Sequence, residues 1–265
     1  MIVVEDAAGN KQHQVVAAAR IIYSPNSAKH VIMTFSDRGE LVSLWDIAPY
    51  HSSALAVTSD NEVLDFGRKD GDGEYPTIMR YSATRQTLGG ILDSNLLDAD
   101  GWFSVIDRTY GPPALRVVGK TVYICIPSDR MAFEFALDGT MIHSYRLGNF
   151  LERMKLSYNF GQVAAARFTF SASGKIFFEL TGWAKMSKDS ASPPIYDRLI
   201  VSLDPGNLTW SSWRIKGNDS TTRVFLGLNP DDSLVIHEIL DSRHDVIVVQ
   251  NDPVLFRASG SQPTP

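Results

Sequence analysis

Short alternating apolar segments, separated by tight polar turns, constrain this chain more than any other feature. Residues 113–148, PALRVVGKTVYICIPSDRMAFEFALDGTMIHSYRLG, show the pattern most cleanly. Val122, Ile124 and Ile126 alternate with Thr121, Tyr123 and Cys125, and Met131, Phe133, Phe135 and Leu137 repeat the alternation. A period of two places apolar side chains on one face of an extended strand. Asp138-Gly139 lies between two apolar runs, a strong hairpin signal because both residues tolerate the backbone such a turn requires. The segment therefore reads as four short antiparallel strands.

Related units recur. Five hairpins stand out: HVIMTF-SDRG-ELVSLW, TIMRYS-ATRQ-TLGGIL, MAFEFA-LDG-TMIHSY, LIVSL-DPGN-LTWSSW and VIVVQ-ND-PVLF. Their turn markers Asp37, Thr84, Asp138, Asp204 and Asn251 are 47, 54, 66 and 47 residues apart. Four of them have another strand pair upstream (ALAVTSDNEVLDF, ALRVVGKTVYICI, RFTFSASGKIFFEL, VFLGLNPDDSLVIHEIL). The first is preceded by MIVV and HQVVAAARII, which are either its matching pair or strands that close the fold against VIVVQ and PVLF. Many short strands without long helical patterns indicate a sandwich, barrel or propeller. A four-strand unit recurring every roughly 40–50 residues favours the propeller. The expected fold is thus an all-β propeller of antiparallel four-stranded blades, a single domain over 1–265. Five blades are visible, and residues 93–112, with WFSVIDR, are the candidate for a sixth. The one sizeable helix is expected over 149–158, with Asn149 as its cap and Phe150, Met154 and Tyr158 on one face.

Residues 113–148 resemble one repeat of the six-bladed propeller group that includes the NHL-repeat-like and TolB-like proteins. The resemblance rests on Pro113, an apolar strand, Gly119, a second strand, and a third strand closing on Asp138-Gly139. Ile126-Pro127-Ser128 stands where that group usually has an acidic residue after the second strand. The resemblance implies a rigid scaffold that in some members binds partners and in a few carries a metal-dependent enzyme; fold alone does not choose between them.

Composition narrows the classes of partner. Twenty-five Lys and Arg against 30 Asp and Glu give a net charge of -5. Without a basic cluster, that balance disfavours nucleic acid. No apolar run approaches the ~20 residues of a membrane span. The N-terminal MIVVEDAAGNK lacks the basic and apolar regions of a secretory leader, and a chain whose leader had been removed would read the same, so the compartment stays open. One cysteine, Cys125, excludes an intramolecular disulfide and a multi-cysteine zinc site.

The connections carry the functional candidates. The first–second and third–fourth strand turns of each blade are short. The long connections are 67–76, 93–112, 148–164 and 182–198, all of them second–third strand or blade-to-blade links. In a propeller such links emerge on one face, and long loops on a rigid scaffold concentrate binding residues. Trp102, Tyr110, Trp183 and Tyr196 lie in or beside these loops, where aromatics with a polar handle suit recognition or pack the loops down. Arg116 and Arg167 begin two first strands (ALRV and AARF), so that their guanidiniums either grip a carboxylate or phosphate or bridge blades. Asp70, Asp72 and Glu74 in KDGDGEYP offer oxygen ligands to a divalent cation such as calcium, the only cofactor the sequence suggests. They fall short of the about six to eight oxygens calcium takes, and the same stretch reads as a solvated turn. Trp210 and Trp213, three apart in one strand, face opposite sides, one of them between blades. The six histidines show no metal-ligand spacing, and no nucleophile motif or phosphate loop is present. No catalytic residue can be named. The expected function is a binding propeller holding a protein, peptide or glycan on the long-loop face. The alternative is a metal-dependent hydrolase or lyase with a divalent cation at the channel mouth.

Overall fold

The structure is a computed structural model. It describes residues 1–24, 27–69, 78–92, 111–127, 130–184, 196–215, 221–229, 231–240, 243–249 and 256–258. The chain is all-β, with the antiparallel four-stranded sheets of a β-propeller. Sheet 1 contains β1 (Ile2–Gly9), β2 (Val15–Ser24), β3 (Ser27–Phe35) and β4 (Leu41–Asp46) in chain order. Sheet 2 contains β5 (Tyr50–Val57), β6 (Val63–Lys69), β7 (Ile78–Tyr81) and β8 (Thr87–Gly90). Sheet 3 contains β9 (Ala114–Val118), β10 (Thr121–Ile126), β11 (Met131–Ala136) and β12 (Met141–Arg146). After the helix α1 (Phe150–Ser157), sheet 4 contains β13 (Phe160–Phe170), β14 (Ile176–Ala184), β15 (Tyr196–Asp204) and β16 (Thr209–Ile215). Sheet 5 contains β17 (Thr221–Leu228), β18 (Leu234–Leu240) and β19 (Arg243–Val249). The last strand, β20 (Phe256–Ala258), pairs with β16 as a fifth strand of sheet 4. The described residues group into two compact units. One holds sheets 1 and 2 with part of sheet 3, and the other holds the rest of sheet 3, α1 and sheets 4 and 5.

One turn design makes this succession of hairpins. Among the described residues, seven turns close with the same bond, in which the amide of the first turn residue donates to the carbonyl four residues on: Asn10 to Gln14, Ser36 to Glu40, Thr58 to Glu62, Ser82 to Gln86, Ala136 to Thr140, Ser171 to Lys175 and Asn229 to Ser233. The fourth residue of each has positive φ: His13, Gly39, Asn61, Arg85, Gly139, Gly174 and Asp232. In five of them the first residue's side-chain oxygen also accepts the amide at the far end, as Ser36 Oγ does from Glu40 and Thr58 Oγ1 from Glu62. Short polar side chains that bond the local backbone thus replace the ladder bonds lost where the chain reverses.

Two expectations about the termini need correction. MIVV does not close the fold against VIVVQ. It opens β1, which pairs with β2 from Ile2↔Ile21 to Gly9↔Val15, so the N-terminal strands are the matching pair of the first hairpin. Of PVLF only Phe256 lies among the described residues, and its strand does not pair with VIVVQ either. Phe256 pairs with Ile215 and Ala258 with Trp213, which covers the outer edge of sheet 4, where unpaired backbone groups would otherwise face solvent. The sixth-blade candidate at WFSVIDR lies outside the described residues.

The helix forms where expected and buries Phe150, Leu151 and Met154, with Phe150 edge-on to Phe178 at 5.8 Å between ring centroids. Its cap differs. Asn149 makes no side-chain capping bond, because its Oδ1 accepts from Arg130 Nη1 at 2.6 Å. Trp213 stacks on Phe177 and packs against Phe225, Leu234 and Ile236 of sheet 5, while Trp210 on the opposite side lies under the Arg153 guanidinium. Cys125 is fully buried and unoxidised, and burial pushes its thiol well above the ordinary range.

Candidate functional site: a buried glutamate and its arginines

Sheets 4 and 5 meet through a face with two halves. Toward the turn end, Phe177, Ile200 and Trp213 of sheet 4 pack on Phe225, Leu234 and Ile236 of sheet 5. Toward the end from which the 182–198 connection leaves, the contacts become ionic. Glu179 of β14 is only 3% exposed, and its Oε2 accepts the Phe225 amide of β17 at 3.0 Å. Its Oε1 faces two guanidiniums, Arg167 Nη1 at 3.5 Å and Arg198 Nε at 3.9 Å. Arg198 also reaches the Arg223 carbonyl at 3.5 Å, and Arg223 Nε is bound to Glu238 Oε2.

Local backbone explains why these groups meet. Thr181 pairs with Arg198 and Glu179 with Ile200, so Glu179, Thr181 and Arg198 share the face turned to β17. Arg167 sits in the register break of β13 between Ala166 and Thr169, at φ 57°. A bulge there inserts an extra residue and re-aims its side chain, which brings Arg167 to a glutamate that regular pairing would not give it. The set holds three cations and two carboxylates. Glu238 neutralises Arg223, which among the described residues leaves Arg167 and Arg198 to share one oxygen of Glu179. Both guanidiniums are about two-fifths exposed, at 42% and 41%. Each carries five N–H donors in a planar fork, and one oxygen at these distances occupies few of them.

The residues singled out from sequence are distributed unevenly. Arg167 belongs to this site. Trp183 is a half-buried residue within β14, on the same face as Glu179, and its backbone partner across the sheet is Tyr196, the first residue of β15. Arg116 lies half-buried on β9, in the other unit. Trp102, Tyr110, Asp70, Asp72 and Glu74 lie outside the described residues, as do most of the loops 67–76, 93–112 and 182–198. The sequence reading passed over Glu179, Arg198 and Arg223. A signal for the first existed: in KIFFEL a lone acid interrupts an apolar strand, and an acid there has to find a partner.

No protein-family model matches the chain, and neither does any curated protein sequence. Among solved structures, it is similar to a luciferin-regenerating enzyme at 9% identity and a TM-score of 0.39, covering 75% of this chain and 61% of that one. It is similar to a subtype N11 neuraminidase-like protein of A/flat-faced bat/Peru/033/2010 at 10% identity and a TM-score of 0.37, covering 75% of this chain and 59% of that one. It is also similar to Hsv2 of Kluyvelomyces marxianus at 11% identity and a TM-score of 0.29, covering 82% and 93% of the two chains. The chain thus spans less than two thirds of the first two structures.

Proposed function

We propose that this protein is a non-catalytic binding propeller, NHL-like in its repeat, that holds an acidic group of a protein, peptide or glycan against Arg167 and Arg198. The observation that carries the reading is the charge balance around Glu179. One buried carboxylate oxygen faces two half-exposed guanidiniums, while its other oxygen is taken by the Phe225 amide. A ligand carboxylate or sulfate bridging the two arginines would complete the pairing, and planar forks favour such bidentate contacts. Glu179 is a positioning residue here, because it holds the guanidiniums without meeting the ligand. Trp183, on the same strand face, supplies an apolar wall of the kind that dominates recognition energies.

The test uses a peptide array graded in acidic content and a glycan array graded in carboxylate and sulfate groups, each probed with the wild type and the Arg167→Ala/Arg198→Ala double variant. Wild-type signal should concentrate on acidic members, and the double variant should lose it by at least about tenfold, or about 1.4 kcal/mol. Wild-type binding without acidic bias, or equal binding by the variant, would reject the reading.

A further inference from the structure

We propose that Asp65 and Asp6 form a proton-binding site between sheets 1 and 2, in which Asp65 holds the proton and Asp6 the charge, and that losing this proton loosens the seam between the sheets. The site is separate from the arginine cluster and does not depend on the binding reading.

The position of Asp65 is the first observation. Val63, Ile176 and Leu234 each open the second strand of their sheets, paired with Val57, Phe170 and Leu228 across equivalent turns. Two residues on stand Asp65, Phe178 and Ile236. Sheets 4 and 5 fill this place with a buried apolar side chain, whereas sheet 2 puts a carboxyl there at 0% exposure. Asp65 shares a strand face with Val63, which packs on Val16, Ala18 and Ile32 of sheet 1.

The partners are the second observation. Neither Asp65 carboxyl oxygen has an aligned hydrogen bond, and nor does the Ser52 hydroxyl beside them, although that hydroxyl is near enough to favour the charged form somewhat. Tyr50 Oη donates to the Asp65 backbone carbonyl at 3.0 Å and not to its carboxyl. Among the described residues, the titratable groups facing Asp65 are Asp6 from β1, Tyr50 from β5 and Tyr81 from β7, while β2 and β3 present Val16, Ala18 and Ile32. No cation is among them.

Asp6 is bonded quite differently. Its Oδ1 accepts the Ala7 amide at 2.8 Å and its Oδ2 the Leu55 amide at 2.6 Å, and Leu55 is the residue paired with Asp65. Two amide donors suit an ionised carboxylate, which only accepts. Burial raises the Asp6 carboxyl, and these amides offset part of that rise. Asp65 has no such counterweight: burial, with a smaller contribution from the Asp6 charge, carries its carboxyl from 3.8 to about 7. Two acids whose surroundings push them apart divide into a charged one and a neutral one. Ionising Asp65 would set a second buried negative charge against the first, with two neutral tyrosines and, among the described residues, no cation beside it.

The sign follows from linkage. The folded chain retains the Asp65 proton above the pH at which the unfolded chain releases it. The stabilisation is complete below about pH 4 and is lost as pH rises through about 7. Wild-type protein should melt roughly 4–8 °C lower at pH 8.5 than at pH 5.5 from this group. Asp65→Asn, alike in shape and without a charge to gain, should lose most of that drop whatever its absolute melting temperature. A carboxyl carbon NMR titration of the unmutated chain supplies an independent measurement should the variant not fold. A midpoint for Asp65 above about 5.5 supports the site, and a midpoint at or below that value overturns it. An undiminished pH slope in Asp65→Asn overturns the coupling to the seam.

Discussion

Glu179 and Asp65 are both buried acids on the second strand of their sheets, yet they are buried in opposite ways. Glu179 faces the following sheet and meets two guanidiniums and a backbone amide. Asp65 faces the preceding sheet and meets another carboxyl, two tyrosines and apolar side chains. What differs is the supply of donors: Glu179 gathers two guanidiniums and an amide around its oxygens, whereas Asp65, with no cation beside it among the described residues, keeps its proton. One unit of the chain thus uses a buried acid to aim arginines, while the other uses one as a neutral wedge whose state depends on pH.

Removing each acid is the sharpest way to break this comparison. Glu179→Ala would leave the Phe225 amide without its acceptor and two arginines without their counter-charge. The expected loss is about 3 kcal/mol in urea unfolding at pH 7, at the lower edge of what breaking a buried pair costs because the arginines are partly solvated. Asp65→Asn at pH 8 should cost far less or stabilise, since it removes a charge that lacks partners. Similar losses from both substitutions would show that the two sites do not differ as described.

Gly67→Ala asks whether the sheet 1–sheet 2 region is held by shape as well as by protonation. A Cβ at Gly67, two residues beyond Asp65 on β6, would stand 1.8 Å from the His51 carbonyl oxygen, at the register break of β5 between Ser52 and Ala54. Backbone cannot yield cheaply there, so the expected loss is about 2 kcal/mol, measured by thermal unfolding. That loss should be the same at pH 5.5 and 8.5. A Gly67→Ala penalty that grew with pH would tie the strain to Asp65 and undo the separation.

Much of the fold was legible in the sequence because its information is local. Ser36, Thr58, Ser82 and Ser171 each lead a turn whose bonds close within five residues, and four of the five expected hairpins form around such turns or around Asp204. The failures are long-range. Nothing local in PVLF reveals that the strand at Phe256 will pair with β16, some 40 residues earlier in the chain, instead of with its neighbour VIVVQ. Asn149 looked like a helix cap, and Arg130, distant in sequence, claimed its oxygen. The sites divide along the same line. Arg167 was visible as a charge in a first strand, though it lies near the end of β13 and not at its start; its glutamate was not visible, because the bulge that joins them is a property of pairing. Asp65 could have been found. Counted from the turns, LDF in sheet 2 sets an aspartate where FFE and VIH in sheets 4 and 5 set Phe178 and Ile236.

The smallest expected effect belongs to Ser52. Its hydroxyl favours the ionised form of Asp65 without making an aligned bond to it. Ser52→Ala should therefore move the Asp65 midpoint upward from about 7, because the acid form loses nothing and the charged form loses its one nearby donor. Global stability should change by less than about 1 kcal/mol, since the hydroxyl removed has no bond to lose. The carboxyl carbon titration of the variant reads the shift directly. With the midpoint raised, the fall in melting temperature, which starts near the unfolded value, should continue to higher pH than in the wild type, so the two measurements have to move together. A downward shift would mean that Ser52 supports the protonated form, which is possible only if its oxygen accepts the Asp65 proton. The donor shortage that separates Asp65 from Glu179 would then have been partly filled by an acceptor, and the contrast between the two acids would rest on Asp6 alone.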